Sequence, residues 1–271
     1  MPRNASTTLT TAAPADVRMF NAAAAFLALA LVGFVLVAGA RWLAAKAVFD
    51  LRAIHIEGDV ARNNVATLRA NALPRLTGSF LTLDLQRTRS AFEAVPWVRH
   101  ANVKRVWPMK IAVTLEEHKP AAYWEVKVDG AEAGMDRQLV NSFGEVFQAN
   151  LGDVEDEDLP LLSGPQGSSQ SMLRMYQLLL QALGPIDEHI DRLDLSGRGS
   201  WRATLDKGEV IEIGRGDEAE VLARVRRFVS TISQVVAGSG SAPLESADLR
   251  HADGYAVRLQ GVRTTPGKTR K

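Results

Sequence analysis

Apolar and polar positions follow several distinct patterns along the chain, and each predicts a different element. Residues 19–40 have no polar face. No charge interrupts the run, and residues 22–40 read AAAAFLALALVGFVLVAGA. Nineteen helical residues rise about 28 Å, close to the thickness of a bilayer's hydrocarbon core. A helix that is apolar all round is buried in a protein or spans a membrane. Arg41, Trp42 and Lys46 follow as interfacial anchors. A cleavable signal peptide is the rival reading, because Ala38-Gly39-Ala40 resembles a cleavage site. The apolar run is longer than such signals use, and a long tail with only Arg3 and Arg18 basic precedes it, so a retained anchor is the better account. Basic residues flank both sides of the span, and the charge count leaves its orientation open.

After the span the periods become those of a folded protein. Residues 51–57 alternate as a strand, and Gly58 breaks it. Asn63 or Asn64 is placed to cap a helix running to about Ala72, stopped before Pro74. Residues 79–83 read as a short extended piece. Asp84 is a good N-cap for a helix that carries Leu85, Thr88, Phe92 and Val95 at helical spacing, and Pro96 ends it. Residues 97–107 and 110–117 then read as strands. In the second, Ile111, Val113 and Leu115 alternate with polar or small neighbours. The order β-α-α-β-β predicts one sheet covered by two helices.

From Pro120 the pattern becomes strands with two inserted helices. Residues 121–128 and 138–141 look extended, and residues 143–147 turn and continue. An acidic loop follows at residues 153–158. A helix from Ser168 or Ser169 carries Met172, Leu173, Tyr176, Leu179 and Leu183 and stops at Gly184-Pro185. Residues 190–195, 201–205 and 210–213 form a predicted meander. A second helix, residues 217–236, places Val221, Leu222, Val225, Phe228, Val229 and Ile232 on one face. The fold class is therefore α+β: a single transmembrane helix, a small β-α-α-β-β domain, and a mixed β-sheet domain with two helices.

Near the end, residues 248–259 read DLRHADGYAVRL. Asp253-Gly254 between two short runs is a strong hairpin signal, since a type I′ turn needs positive φ at both central positions. Tyr255, Val257 and Leu259 alternate with Ala256 and Arg258. Such a strand presents an outer edge of N–H and C=O groups, which a partner strand can use.

Candidate chemistry changes little. The net charge of +1 argues against a nucleic-acid binder. The absence of cysteine removes disulfides, thiol nucleophiles and thiolate metal sites. The five histidines are widely spaced, and no metalloprotease, hydrolase or dinucleotide motif is present. The acidic loop lacks calcium-loop spacing and reads as solvated. Arg215-Gly216-Asp217 is better explained by Asp217 as a helix N-cap than by adhesion. Residues 1–21 are Ala/Thr-rich and read as a disordered tail, and residues 261–271 as a polar, basic one. No residue is assigned a catalytic, metal or cofactor role, and no small-molecule substrate is expected.

The stretch of residues 95–124 resembles the bacterial cell-division family FtsQ/DivIB. It does so through Pro96-Trp97-Val98, Val103, Arg105, Trp107-Pro108, the alternating Ile111, Val113 and Leu115, then Glu117, Pro120, Ala122 and Trp124. Leu139-Val140-Asn141 with Gly144 and Phe147, Ile213-Gly214-Arg215 with Arg224 and Phe228, and Asp248-Leu249-Arg250 with Gly254, Ala256 and Val257 continue it. The resemblance implies a cytoplasmic tail at 1–21, an inner-membrane helix at 22–43, a periplasmic POTRA domain at 49–118, a β domain at 119–260 and a basic tail at 261–271. It implies a non-enzymatic scaffold at the division septum, without cofactor, that binds FtsB together with FtsL, and FtsK among earlier division proteins. It places FtsB on the last strand, with Arg250, His251, Gly254, Tyr255, Ala256, Val257, Arg258 and Leu259 as candidate contacts. Arg198, in the turn before Trp201, is implied to help hold an acidic partner segment. His251 and Leu259 stand where the family often has aromatics, and Tyr255 is the neighbouring aromatic. A membrane-anchored POTRA protein of transport or envelope assembly is the alternative function. An outer-membrane barrel is excluded by the short chain and the helix at 217–236.

Overall fold

The computed structural model describes residues 15–44, 50–58, 60–63, 65–127, 137–238, 242–251 and 254–261. The far N-terminal tail, the segment 262–271 and Asp253 of the predicted turn lie outside these. Helix α1 (Ala15–Ala44) contains the apolar run, and the stretch Met19–Trp42 is long and apolar enough to cross a membrane. The helix starts earlier than the composition implied. Residues 15–21, read as tail, form its first turns, because Ala and Met favour a helix that already has a long nucleus to extend.

The chain divides into two compact units. One takes residues up to 59 with 65–94 and 100–115; the other takes 60–64, 95–99 and 116 onward. The first holds a three-stranded sheet of order β1-β3-β2, from β1 (Ala53–Gly58), β2 (Val98–Val106) and β3 (Lys110–Glu117). Strands β1 and β3 run parallel, with Ala53 opposite Lys110 and Gly58 opposite Leu115. Helices α2 (Val65–Ala72) and α3 (Leu85–Glu93) pack together, and Leu68, Phe92, Ile111, Val113 and Leu115 are buried in this unit's core. Asp84 caps α3 as expected: its Oδ1 accepts the N–H groups of Gln86 at 2.9 Å and Arg87 at 3.1 Å. Residues 79–83 are not extended. The Thr82 and Leu83 N–H groups both donate to Ser79 O, and the two hydroxyls of Ser79 and Thr82 lie 3.0 Å apart, so local hydrogen bonding wins over an isolated strand.

The second unit holds a nine-stranded sheet of order β12-β11-β10-β9-β8-β7-β4-β5-β6. Its strands are β4 (Pro120–Val126), β5 (Gln138–Asn141), β6 (Val146–Phe147), β7 (Leu161–Gly164), β8 (Ile190–Leu195), β9 (Trp201–Leu205), β10 (Val210–Gly214), β11 (Leu244–Asp248) and β12 (Ala256–Leu259). Strand β7 was absent from the sequence reading. It lies between β4 and β8, parallel to both, at the heart of the sheet. Helices α4 (Ser169–Leu183) and α5 (Glu218–Gly238) pack on one another and cover one face. Trp124, Leu162, Met172, Leu179, Leu193, Ile211, Phe228 and Ala247 are buried in that layer.

The alternating residues point to the opposite face and carry charge. Arg137 pairs with Glu125 at 3.1 Å, Arg192 with Asp194 at 3.0 Å, Lys127 with Asp194 at 3.0 Å and Arg202 with Glu212 at 2.6 Å. Burial pushes Asp194 up, but hydrogen bonds from Arg192 and Lys127 outweigh it and hold the carboxyl below its ordinary range. This apolar-in, polar-out alternation is what a sheet covered on one side requires. The acidic loop is less free than its composition implied. Asp153 Oδ2 accepts from Trp97 Nε1 at 2.9 Å, and Glu157 pairs with Arg62.

Candidate partner-binding edge

The nine-stranded sheet has two outer strands. At one side β6 is two residues long, and Phe147 stacks on His118 with 4.1 Å between ring centres. So short an edge offers little template for pairing. At the other side β12 is four residues long and, among the described residues, pairs only with β11. Those two strands run antiparallel, with Asp248 opposite Ala256, Ala247 opposite Val257, Ser246 opposite Arg258 and Leu244 opposite Leu259. The irregularity lies in β11 between Leu244 and Ser246, leaving β12 regular.

This register fixes which backbone groups of β12 face outward. The Gln260 N–H donates inward to Pro243 O at 2.9 Å. Residues of an antiparallel strand alternate between bonding the partner and facing away from it. Arg258 and Ala256 therefore bond β11, and the N–H and C=O groups of Val257 and Leu259 face outward. Side chains alternate at right angles to this. Val257 packs on the core beneath the helices, Leu259 is buried, and Ala256 and Arg258 are exposed on the charged face.

Tyr255 shares the inward face with Val257 and Leu259, as their alternation implied. It precedes β12 and turns inward. Its hydroxyl lies 2.6 Å from Thr231 Oγ1, and its ring meets Phe228 edge to face at 5.3 Å. It fastens the start of β12 to α5. The hairpin also differs from expectation. Strand β11 ends at Asp248 and β12 begins at Ala256, so residues 249–255 form the connection instead of a two-residue turn. Asp253 of the predicted Asp253-Gly254 turn lies outside the described residues. The physical reason for the longer connection is upstream. Leu249 is buried and its N–H continues the ladder to Glu212 O at 2.8 Å, which carries the chain past the register a tight turn would need.

Arg250 is locked beside the edge. Its Nε donates to Asp248 Oδ1 at 2.8 Å and its second guanidinium nitrogen to Oδ2 at 2.6 Å, while its backbone N–H donates to Oδ1 at 3.1 Å. The Arg250 guanidinium holds the Asp248 carboxyl down to about 2. The Arg250 stem lies over Gly214, whose φ is +88°; a Cβ there would meet Arg250 Cγ at 2.8 Å. His251 is exposed next to it.

Arg198 is not brought to the edge. It is exposed in the turn between β8 and β9, where Gly199 N–H and Ser200 N–H close on Ser196. Register puts it at the same sheet end as Arg250, since Leu195 faces Trp201, Trp201 faces Gly214, Glu212 two residues before Gly214 faces Asp248, and Asp248 faces Ala256. Strand β12 is three strand spacings from β9, about 14 Å. A partner touching both must cross the end of the sheet. Sequence reasoning missed Thr231, which no local pattern connects to Tyr255, and placed the first strand of the hairpin at and after Asp248, whereas β11 ends there; its Leu-Glu-Ser-Ala-Asp has weak strand propensity.

Among the described residues, one group of acids could hold a cation: Glu188, Asp206 and Glu209 bring carboxylate oxygens within 4.8 Å of one another. Lys207 Nζ already sits 2.9 Å from Glu188 Oε1 and supplies part of the balancing charge.

Comparison with known proteins agrees with this architecture. The family model described as "Cell division protein FtsQ/DivIB, C-terminal" matches residues 122–250, and "POTRA domain, FtsQ-type" matches residues 49–118. The first match ends at Arg250, short of β12. A protein described as "Cell division protein FtsQ" from Thiomonas arsenitoxydans is 39% identical over 251 residues, covering 92% of this chain and 89% of the relative. One of the same description from Burkholderia pseudomallei is 40% identical over 249 residues, covering 92% and 95%. Another from Bordetella pertussis is 35% identical over 261 residues, covering 90% and 92%.

Proposed function

We propose, from the premise that the chain belongs to the FtsQ/DivIB family of cell-division proteins, that it is a non-enzymatic scaffold working by strand addition at β12. Helix α1 crosses the inner membrane once, and both folded units lie on the periplasmic side. FtsB, together with FtsL, binds the nine-stranded sheet at the septum. FtsK engages the membrane-proximal region.

The observation that carries this reading is the outward-facing backbone of Val257 and Leu259 on a four-residue edge strand. An incoming strand finds two N–H donors and two carbonyl acceptors already held in strand geometry. Backbone bonds supply register, and the side chains of Ala256 and Arg258 supply discrimination. The order of the edge is an advantage: Tyr255 on Thr231 and Arg250 on Asp248 hold both flanks of the connection, so little freedom is lost on binding. Arg198, at the same sheet end as Arg250, favours an acidic partner segment, while Arg250 and Arg258 already pair with Asp248 and Glu245.

A photo-crosslinking amino acid at Ala256 or Arg258 in dividing cells tests the reading. Crosslinks to FtsB from both positions are expected. Crosslinks to FtsB only from positions on other strands would reject β12 as its seat.

A further inference from the structure

We propose that the β2–β3 turn of the first unit is a membrane-surface contact, in which Trp107 inserts among lipid headgroups beside the point where the chain leaves the bilayer. The inference rests on α1 crossing that bilayer.

Three observations place the turn. First, the Arg52 N–H donates to Met109 O at 3.0 Å, and the parallel register continues from Ala53 opposite Lys110. The turn at residues 107–109 is thus at the sheet end where the chain arrives from α1. Second, α1 ends at Ala44, eight residues before Arg52. Fully extended, eight residues reach about 29 Å. The turn is tethered within that distance of the helix end whatever path the linker takes, which makes the local lipid concentration high.

Third, the turn has the composition of an interfacial anchor. Trp107 is 74% exposed, although an indole of this size usually buries most of its surface in a folded domain. Its only ring contact among the described residues is the edge of Phe80, at 6.4 Å between centres. Val106, its neighbour in sequence, and Leu81, the neighbour of Phe80, are exposed apolar residues. Arg105 holds this surface together, donating to Phe80 O at 2.8 Å and Leu83 O at 2.6 Å. Around the apolar patch lie Lys104, Arg105, Lys110 and Arg52, all exposed. Residues 102–112 contain no acid, and Asp50 is the one carboxylate between residues 41 and 56. An aromatic ring with an N–H tip, framed by cations, suits the boundary between acyl chains and anionic headgroups.

The chain has no cysteine, so single spin labels can be placed without background. The full chain in nanodiscs with about one third phosphatidylglycerol, a fraction chosen to give an anionic surface, would carry a label at Val106→Cys, Phe34→Cys or Glu57→Cys. Phe34 reports the apolar helix, and Glu57 lies toward the far end of β1. The ratio of collisions with oxygen to collisions with a water-soluble nickel chelate measures depth. At Val106 it is expected several-fold above that at Glu57, and lower in a Trp107→Glu background or in zwitterionic discs. Trp107 is exposed enough for that substitution to leave the circular dichroism unchanged. A Val106 label as water-exposed as Glu57, with Phe34 deep in the bilayer, overturns the surface contact while leaving the anchor intact. A water-exposed Phe34 overturns the anchor itself, and with it this inference.

Discussion

Replacing Val257 with proline separates an outward-facing edge from an ordinary strand. The Val257 N–H faces away from β11, so proline removes a donor that the domain's own ladder does not use. Proline is tolerated on edge strands in this orientation. The fold loses the half-buried valine's packing against the core, about 1 kcal/mol. A bound strand loses one backbone hydrogen bond and is left with an unsatisfied carbonyl, together about 3 kcal/mol. That corresponds to roughly 100-fold weaker binding. The assay is titration of the full chain in nanodiscs with the periplasmic segment of FtsB, with a melting curve as the control of fold. Arg258→Pro is the counterpart. It removes an inward N–H and is expected to lower the melting temperature, because it breaks the hairpin itself. A folded Val257→Pro protein that binds like wild type would refute the assignment of that N–H to the partner.

Four further outcomes follow from the same geometry. Asp248 has its carboxyl held from an ordinary 3.8 down to about 2, so its link to Arg250 stabilises the fold above about pH 4 and is lost as pH falls toward 2. Exposure of Arg250 keeps the gain small, and the difference in unfolding free energy between wild type and Asp248→Asn should vanish across that window. Gly214→Ala forces a Cβ against Arg250 at a φ of +88° and should cost about 1–2 kcal/mol in denaturant melts while broadening the NMR signals of residues 248–251. Tyr255→Phe removes the hydroxyl paired with Thr231 and should cost about 1 kcal/mol, with faster amide exchange confined to β12. Asp217 and Glu220 cap α5 reciprocally, at 2.9 Å and 3.2 Å, and Asp217→Ala should destabilise the second unit by about 1 kcal/mol by thermal melting.

The elements whose residues bury one face are legible in the sequence. The stripe of α5, the alternation of β3 and the meander of β8, β9 and β10 follow from local periodicity, because one face of each meets the core. Strand β7 does not follow. Leu161–Gly164 is four residues between Pro160 and Pro165 with no alternation, and only its parallel partners β4 and β8, distant in sequence, make it a strand. Leu161 faces the charged side opposite Arg192, so the short strand has an apolar residue on both faces and shows no period of two. The candidate edge was readable as an alternation, but its limits were not. Strand β11 ends at Asp248 and β12 begins at Ala256, limits set by the ladder bond of Leu249 and the inward turn of Tyr255, neither of which local alternation shows. Tyr255 and Thr231 stand 24 positions apart, beyond any local pattern. Arg198 keeps the place its sequence implied, in the turn before Trp201, and only the sheet order shows how many strands separate that turn from β12.

The central claim is that β12 receives the partner through its outward backbone groups. Amide hydrogen exchange of the full chain, read at single residues with and without the FtsB segment, tests it most directly. The amides of Val257 and Leu259 are predicted to exchange readily in the free protein and to become strongly protected in the complex, while those of Ala256 and Arg258, already bonded to β11, change far less. Protection appearing elsewhere, with Val257 and Leu259 still exchanging at their free rates in a saturated complex, would contradict the account.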